Sequence, residues 1–244
     1  MSTQYTESAP LLEIDGVTLG YQGGPVVNDV SLAVHAGEVV CLLGPNGAGK
    51  TTTLSAVSGL IAPRSGVIRF EGRELRKLTP DAITRSGLVH VPEDRALFPN
   101  LTVRENLVAA SGEEDAIREV LEYFPALVAL QDRPASVLSG GEQQMLTLAR
   151  AIVLKPRLLI VDELSLGLAP IIVSRILPSL RRLVADTGCG LLLVEQHVHL
   201  ALTIADRAYV MVHGSIATEG SAEEIGGRLD EIRGTYLGEQ MSGS

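Results

Sequence analysis

The sequence predicts an α/β fold in which helices cover a mostly parallel sheet, with a helical insertion in the middle of the chain. Three observations support this prediction. Short apolar runs typical of buried strands alternate with longer helical segments, which is the pattern of a parallel sheet. A glycine-rich loop joins one of these strands to a helix. The alternation stops between Asp94 and about Leu138, where polar loops and helical periodicity replace it, and it resumes after Pro156.

The elements before the insertion are mainly strands. They are predicted at residues 11–34 (short alternating strands with turns at 20–25), 38–43, 66–70 and 89–92. The almost wholly apolar run 38–43 indicates a strand buried on both faces. A helix is expected from Gly49 to about Ser58, because Gly59 can adopt the left-handed conformation that ends many helices.

The insertion contains an apolar periodicity typical of a helix, formed by Ile117, Val120, Leu121 and Phe124. After it, strands are predicted at residues 158–161, 191–194, 207–212 and 215–217. A helix is expected from about Pro170. Pro178 lies inside its run, and a mid-helix proline is expected to kink or break it because one hydrogen bond is lost.

The composition excludes several classes of function. The net charge of −9 argues against a nucleic-acid partner, which would require a basic surface. No apolar run reaches the roughly 18–20 residues of a membrane span. The polar segment from Met1 to Pro10 lacks the apolar core of an export signal, so we expect a cytoplasmic location. Cys41 and Cys189 lie in apolar runs and are expected to be buried, reduced thiols.

A phosphate-binding loop is predicted between the strand at 38–43 and the helix that follows. The match to G-x-x-x-x-G-K-[ST] is complete, and its residues are Gly44, Pro45, Asn46, Gly47, Ala48, Gly49, Lys50 and Thr51. Glycines let backbone N–H groups turn toward phosphate oxygens, and the helix N-terminus adds partial positive charge. Lys50 is expected to reach the β- and γ-phosphates, and the Thr51 hydroxyl to bind Mg²⁺.

Two consecutive carboxylates, Asp162 and Glu163, follow the buried run 158–161. Ligands of open α/β sheets bind at the carboxyl ends of the strands, so Asp162 is expected to hold Mg²⁺. Glu163 is not needed for the metal and suits a general base that polarises the attacking water.

A third motif begins the helix that follows the insertion. Ser139 and Glu142 have the spacing of a capping box, and Gly140 and Gly141 leave the helix N-terminus open to a phosphate. The residues predicted on one face of this helix are Met145, Leu148, Ala149 and Ile152.

With these three motifs in this order, the chain resembles the ATPase subunits of ABC transporters, from about Leu11 to Gly238. The resemblance implies a P-loop NTPase (RecA-like) core with an antiparallel β subdomain and a helical insertion subdomain. In that arrangement residues 11–238 form one domain, with residues 11–93 and 156–238 as the nucleotide-binding core. Residues 94–155 form the helical part with the signature helix, and residues 1–10 and 239–244 are flexible termini.

The resemblance also implies a site shared by two subunits that close head to tail on ATP and Mg²⁺. The catalytic residues would be Lys50, Glu163 and Gln196, and Glu93 would contact Mg²⁺ and the attacking water. Further nucleotide contacts are implied for Tyr21, Thr52, Ser139, Gly140, Gly141 and Glu142, the last four acting on the partner's nucleotide. Most ABC ATPases have Gln in place of Glu93 and His in place of Gln196.

Several segments are similar to one branch, the second ATPase of branched-chain amino acid importers, in which Glu and Gln are usual at those two positions. The segments are 91–93, 97–103, 105–107, 138–146, 165–170, 194–196 and 236–238. The branch implies a second ATPase subunit, which is a homologous one or, in isolation, a second copy of this chain. It also implies two membrane permease subunits and, indirectly, a substrate-binding protein, with this subunit peripheral on the inner face of the membrane. The alternatives are the ATPase of a urea or short-amide importer and a non-transport ABC ATPase, although no long coiled-coil insertion or second ATPase domain is present.

Overall fold

Two sheets organise residues 9–21, 23–232 and 234, which this computed structural model describes. The strands are β1 (Leu12–Tyr21), β2 (Gly24–Val34), β3 (Val39–Leu43), β4 (Ser65–Phe70), β5 (Arg73–Glu74), β6 (Leu88–Val91), β7 (Leu158–Asp162), β8 (Gly190–Glu195), β9 (Arg207–Val212) and β10 (Ser215–Ser221). The helices are α1 (Lys50–Val57), α2 (Pro80–Arg85), α3 (Val103–Ala110), α4 (Glu114–Tyr123), α5 (Gly140–Ile152), α6 (Pro170–Thr187), α7 (Val198–Leu202), α8 (Ala222–Gly227) and α9 (Leu229–Ile232). Short 3₁₀ turns lie at Leu75–Lys77, Pro125–Leu130 and Ala135–Val137.

The larger sheet has six strands in the order β10-β9-β3-β8-β7-β6. All of its neighbouring pairs are parallel except β9–β10, which is antiparallel. Every residue of β3, β7 and β8 is buried, as the apolar runs predicted. The predicted α/β class is confirmed. The carboxyl ends of four successive strands, β3, β8, β7 and β6, therefore meet at one edge, where ligands of such sheets bind.

The smaller sheet is antiparallel, with the order β2-β1-β4-β5. Its first two strands are 10 and 11 residues long, so the short alternating strands predicted for this region are in fact one long hairpin. Register shifts within the hairpin interrupt the strict alternation of apolar and polar residues and explain the shorter prediction.

Alternate residues of β3 show how the layers are arranged, because successive side chains of a strand point to opposite faces. Val39, Cys41 and Leu43 belong to an apolar cluster that includes residues of α4, α5 and α6. Val40 and Leu42 belong to a second cluster with α1 and the four-stranded sheet. The large sheet is thus covered by helices on one face and by the small sheet with α1 on the other.

The segment between β6 and β7 is helical, as predicted. The periodic run Ile117, Val120, Leu121 and Phe124 is buried. The amide of the buried Asn106 donates to the carbonyls of Phe98, Leu101 and Thr102, at 3.0–3.1 Å, and fixes the loop that enters α3.

Pro178 does not interrupt α6, which runs continuously from Pro170 to Thr187. The predicted break is therefore wrong. Pro178 lies on the exposed face, where water can reach the Ser174 carbonyl that loses its partner. The neighbouring Ile176, Leu177 and Leu180 are buried and hold the helix against the core.

Both cysteines are free and buried, as predicted. Burial raises the pKa of the Cys189 thiol to about 11 and also raises the pKa of Cys41. Within the described residues, no helix is both long and apolar enough to cross a membrane. The segment Tyr236-Leu237-Gly238 lies outside the described residues.

Candidate nucleotide site

A cleft of about 350 Å³ opens at the carboxyl edge of the large sheet. It brings together residues that are far apart in the chain. Its lining residues are Val26, Asn46, Gly47, Gly49, Lys50, Thr51, Thr52, Glu93, Glu163 and Leu166. The phosphate-binding loop, Glu93 (two positions after the end of β6) and the residue that follows β7 thus share one cavity.

The loop between β3 and α1 is held in place at its glycines. Gly49 has φ of 107°, and a Cβ atom there would lie 2.8 Å from Met211 Cε and 2.9 Å from Val27 Cγ2. A Cβ on Gly44 would collide with the Met211 carbonyl oxygen. A side chain at either position would therefore push the loop away from β9. The loop leads directly into the N-terminus of α1, whose first N–H groups have no partner within the helix and favour an anion.

Lys50 is buried in this cleft, with 4% of its side chain exposed. Its ammonium donates to the carbonyls of Gly44, at 2.9 Å, and Pro45, at 3.2 Å. It also pairs with Glu163 Oε1 at 3.2 Å. The carbonyl contacts keep the charge beside the loop, while the Glu163 contact is one that phosphate oxygens would replace.

Asp162 lies at the end of β7, where its Oδ2 accepts from the Thr51 hydroxyl at 3.4 Å. Its Oδ1 is buried and has no hydrogen-bond partner among the described residues. Burial, with a smaller contribution from the neighbouring Glu163 carboxylate, raises the pKa of Asp162 to about 6. An unsatisfied carboxylate oxygen beside a threonine hydroxyl is a set of hard oxygen donors, which fits Mg²⁺.

Glu163 follows Asp162 with φ of 50°, a left-handed conformation that is uncommon for a residue with a side chain. Its N–H donates to the Val194 carbonyl at 2.9 Å. Its Oε2 accepts from Gln196 Nε2 at 3.2 Å, and its Oε1 meets Lys50. This carboxylate is therefore aimed into the cleft from the end of β7.

The structure does not bring every predicted residue to this cleft. Glu93 and Thr52 line it. Gln196 reaches it through Glu163. Tyr21 lies at the end of β1, is 56% exposed and is not among the lining residues.

The predicted signature helix begins as expected but away from the cleft. Ser139 and Glu142 form a complete capping box at the start of α5. Ser139 is exposed, and none of residues 139–142 lines the cavity. A Cβ on Gly141 would lie 2.7 Å from Ile172 Cγ2, so this glycine lets α6 pack closely, a reason the sequence did not show. On the predicted apolar face Leu148, Ala149 and Ile152 are buried, and Met145 is partly buried.

Sequence reasoning missed Ser165 and Glu195. Glu195 is 2% exposed and accepts from the Ser165 N–H at 2.9 Å and from the Ser165 hydroxyl at 2.6 Å. The available signal was that Glu195, like Asp162, directly follows a buried apolar run. The partner of that carboxylate is 30 positions away in the sequence, so the contact itself had no local signature.

The family comparison matches this architecture. The model of the family described as ABC transporter matches residues 27–165, more than half of the chain. A solved structure of a nucleotide-free ATP-binding cassette from an ABC transporter superposes with a TM-score of 0.83 at 26% identity, covering 95% of this chain and 100% of that one.

Two relatives are similar over nearly the whole chain. The high-affinity branched-chain amino acid transport ATP-binding protein BraG of Pseudomonas aeruginosa is 41% identical over 93% of this chain and 100% of its own length. The lipopolysaccharide export system ATP-binding protein LptB of Escherichia coli is 36% identical over 91% of this chain and 94% of its own. The chain therefore belongs to the ABC transporter family, in which it is an ATP-binding, ATP-hydrolysing subunit that resembles those of branched-chain amino acid transport.

Proposed function

We propose that this chain is the ATPase of an importer for branched-chain, hydrophobic amino acids, and that it closes head to tail with a second ATPase subunit on ATP. The proposal that two subunits share the nucleotide site rests on one observation. The cleft contains the phosphate loop and the carboxylates, whereas the Ser139–Glu142 motif lies outside it, and Ser139, the N-cap of α5, is exposed. A helix N-terminus that is exposed is available to a nucleotide held by another subunit. The substrate class rests on the full-length similarity to BraG.

In the proposed hydrolysis, Lys50 leaves Glu163 and binds the β- and γ-phosphates. Thr51, Asp162 and Glu93 would hold Mg²⁺, which when bound neutralises phosphate charge. Glu163 accepts a proton from the water that attacks the γ-phosphate, giving ADP and phosphate. Gln196 keeps the Glu163 carboxylate in position through the contact it already makes, and the family resemblance implies that it meets the γ-phosphate.

Tyr21 is proposed to stack on the adenine. It pairs with Gly24 in the β1–β2 hairpin, and the same hairpin carries Val26, which lines the cleft. An exposed aromatic ring next to the cleft offers apolar area to a base, and nothing within the described residues covers more than about half of it.

We also propose that the permease subunits dock on the groove between the core and residues 94–155. This groove has a volume of about 450 Å³ and is lined by residues that include Leu60, Pro92, Arg95, Arg150 and Leu154. Leu60 and Leu154 are 66% and 42% exposed and give the groove apolar surface that a permease subunit would cover. If this chain is attached to the permease subunits through the groove, it is peripheral at the membrane. Pro92, which lines the groove, directly precedes Glu93, which lines the nucleotide cleft.

The shared site is tested by nucleotide-dependent association of the purified full-length chain. Glu163→Gln is expected to bind ATP, to hydrolyse it about 10²- to 10⁴-fold more slowly, and to run as a dimer in size-exclusion chromatography with light scattering. Adding Ser139→Arg should abolish the dimer while the affinity for a fluorescent ATP analogue stays near that of Glu163→Gln. Loss of that affinity together with the dimer would show that Ser139 serves the nucleotide of its own chain, and would refute the shared site.

A further inference from the structure

Three consecutive residues at the end of β8 hold two residues at the end of β7. Glu195 accepts both donors of Ser165, the N–H at 2.9 Å and the hydroxyl at 2.6 Å. Gln196 donates to Glu163 at 3.2 Å. The exposed His197 places Nδ1 2.9 Å from the Ser165 hydroxyl oxygen. We call Glu195, Gln196 and His197 the β8 clamp.

The donors and acceptors of this cluster are complementary. When the hydroxyl proton of Ser165 is donated to Glu195, the hydroxyl oxygen can accept from the tautomer of His197 that carries its proton on Nδ1. Burial raises the pKa of Glu195, and the hydrogen bonds from Ser165 oppose that rise because they favour the ionised carboxylate. A buried carboxylate with two donors from one residue fixes that residue in both position and orientation.

The segment that the β8 clamp contacts, residues 163–168, has a backbone conformation that requires a restraint of this kind. Glu163 has φ of 50°, and Gly167 follows at 69°. Two tight turns connect them, since the N–H of Leu166 donates to the Glu163 carbonyl and that of Leu168 donates to the Ser165 carbonyl, both at 3.1 Å. A side-chain-bearing residue persists in such a conformation only where its surroundings over-determine it. Ser165 is the residue of this turn whose side chain is tied back to the sheet.

We propose that Ser165, Glu195 and His197 are positioning residues for the hydrolytic step, holding the backbone that aims the Glu163 carboxylate. The proposal rests on the role of Glu163 as the general base. Once phosphates take Lys50, Glu163 loses its ion pair at Oε1 and keeps the Gln196 contact, the bond from its N–H to the Val194 carbonyl and the backbone that Ser165 fixes. The clamp therefore matters most in the ATP-bound state, because the remaining side-chain contact of Glu163 and the hold on the turn that follows it both come from residues 195–197.

The proposal is tested with Ser165→Ala and Glu195→Gln in the purified full-length chain. Ser165→Ala removes the hydroxyl alone, and Glu195→Gln replaces one acceptor oxygen by an NH₂ group. Both are expected to lower kcat for ATP about 10- to 100-fold, because small displacements of a reacting group have effects of that size. Affinity for a fluorescent ATP analogue should change less than about 3-fold, since the phosphate loop is untouched.

Ser221→Ala is the matched control. Ser221 has the same contacts to a glutamate as Ser165, with its N–H and hydroxyl 2.8 and 2.9 Å from Glu224 Oε2, but it lies at the exposed start of α8. Its kcat should equal that of the unmodified chain. His197→Asn, which can still donate to Ser165, should keep more of the rate than His197→Leu.

The outcomes distinguish failure of the proposed role of Glu163 from failure of the proposed role of the β8 clamp. If Glu163→Gln hydrolyses ATP like the unmodified chain, the proposed role of the base fails. If Glu163→Gln is slow while Ser165→Ala and Glu195→Gln keep their rates, the clamp does not position the base and the inference is overturned. It is also overturned if these variants lose ATP affinity as much as kcat, or lower the urea midpoint enough to explain the lost rate, because either result indicates a purely structural role.

Discussion

The ion pair between Lys50 and Glu163 is expected to be a strong restraint on the nucleotide-free cleft. The two charged groups lie 3.2 Å apart, and only 4% and 8% of their side chains are exposed. At that separation the Coulomb energy is roughly 5 kcal/mol for an effective dielectric constant of about 20, before desolvation is subtracted. Removing one partner of a buried pair costs about 3–5 kcal/mol. We therefore expect Lys50→Met to lower the free energy of unfolding by about 3 kcal/mol.

A double-mutant cycle isolates the pair. Lys50→Met also leaves the Gly44 and Pro45 carbonyls without their partner, but that loss occurs in the single and the double variant and cancels. Glu163→Gln keeps an oxygen acceptor and should cost less than Lys50→Met. Urea unfolding of the nucleotide-free chain is expected to give a coupling energy of about 1–3 kcal/mol.

The control cycle uses Lys155 and Glu119, whose charges are 3.6 Å apart but 56% and 64% exposed. Exposed pairs contribute little, so its coupling should stay below about 0.5 kcal/mol. If the Lys50 and Glu163 substitutions are additive to within about 0.5 kcal/mol, the pair does not hold the empty cleft and the reasoning is refuted.

Three further predictions concern turnover, acid stability and assembly. Lys50→Ala should abolish phosphate release from ATP, because a charge-assisted contact to the phosphates is lost, and unchanged release would contradict the assignment. Burial lowers the pKa of His90 from 6.5 to about 4, so the unfolded chain takes up the proton first and stability is lost as the pH falls from about 6.5 to about 4. That loss is at most about 3 kcal/mol, and urea unfolding of His90→Gln should lack this part of the pH dependence. Leu60→Asp, at a 66% exposed position of the groove, should release the chain from its permease subunits in co-purification, whereas Val128→Asp, 51% exposed and outside the groove, should not.

The sequence predicted the fold well where the apolar pattern along the chain matches the burial of the strand in the structure. The strands β3, β7 and β8 are buried on both faces, so their apolar runs are continuous and were located to within a residue or two. The phosphate loop was evident because its residues are adjacent in the chain. The hairpin β1–β2 was predicted as shorter pieces because its register shifts interrupt the alternation on which the prediction depends.

The sequence located several of the residues that line the cleft, among them Lys50, Glu93 and Glu163, but it did not show the contacts between residues that are far apart in the chain. Asp162 could be placed from the run that precedes it, but the contact of Glu195 with Ser165 spans 30 positions. Gly141 was interpreted as open space for a phosphate, while the structure shows Ile172 packed against it. Pro178 was expected to kink or break a helix because the prediction considered the lost hydrogen bond and not the exposed face on which the proline falls, and the helix is not broken.

In the proposed mechanism, the charged residues of the cleft link ATP binding to the state of the Glu163 carboxylate, the proposed general base. Among the described residues that line the cleft, Glu93 and Glu163 carry negative charge and Lys50 carries positive charge, and the carboxylate of Asp162 interacts electrostatically with all three. Burial is the main cause of the raised pKa of Asp162, the carboxylates of Glu163 and Glu93 raise that pKa further, and Lys50 lowers it. In the proposed mechanism Lys50 turns to the phosphates, and the Glu163 carboxylate then loses its ion pair at Oε1. On that proposal, the movement that binds the nucleotide also frees the carboxylate that would activate water.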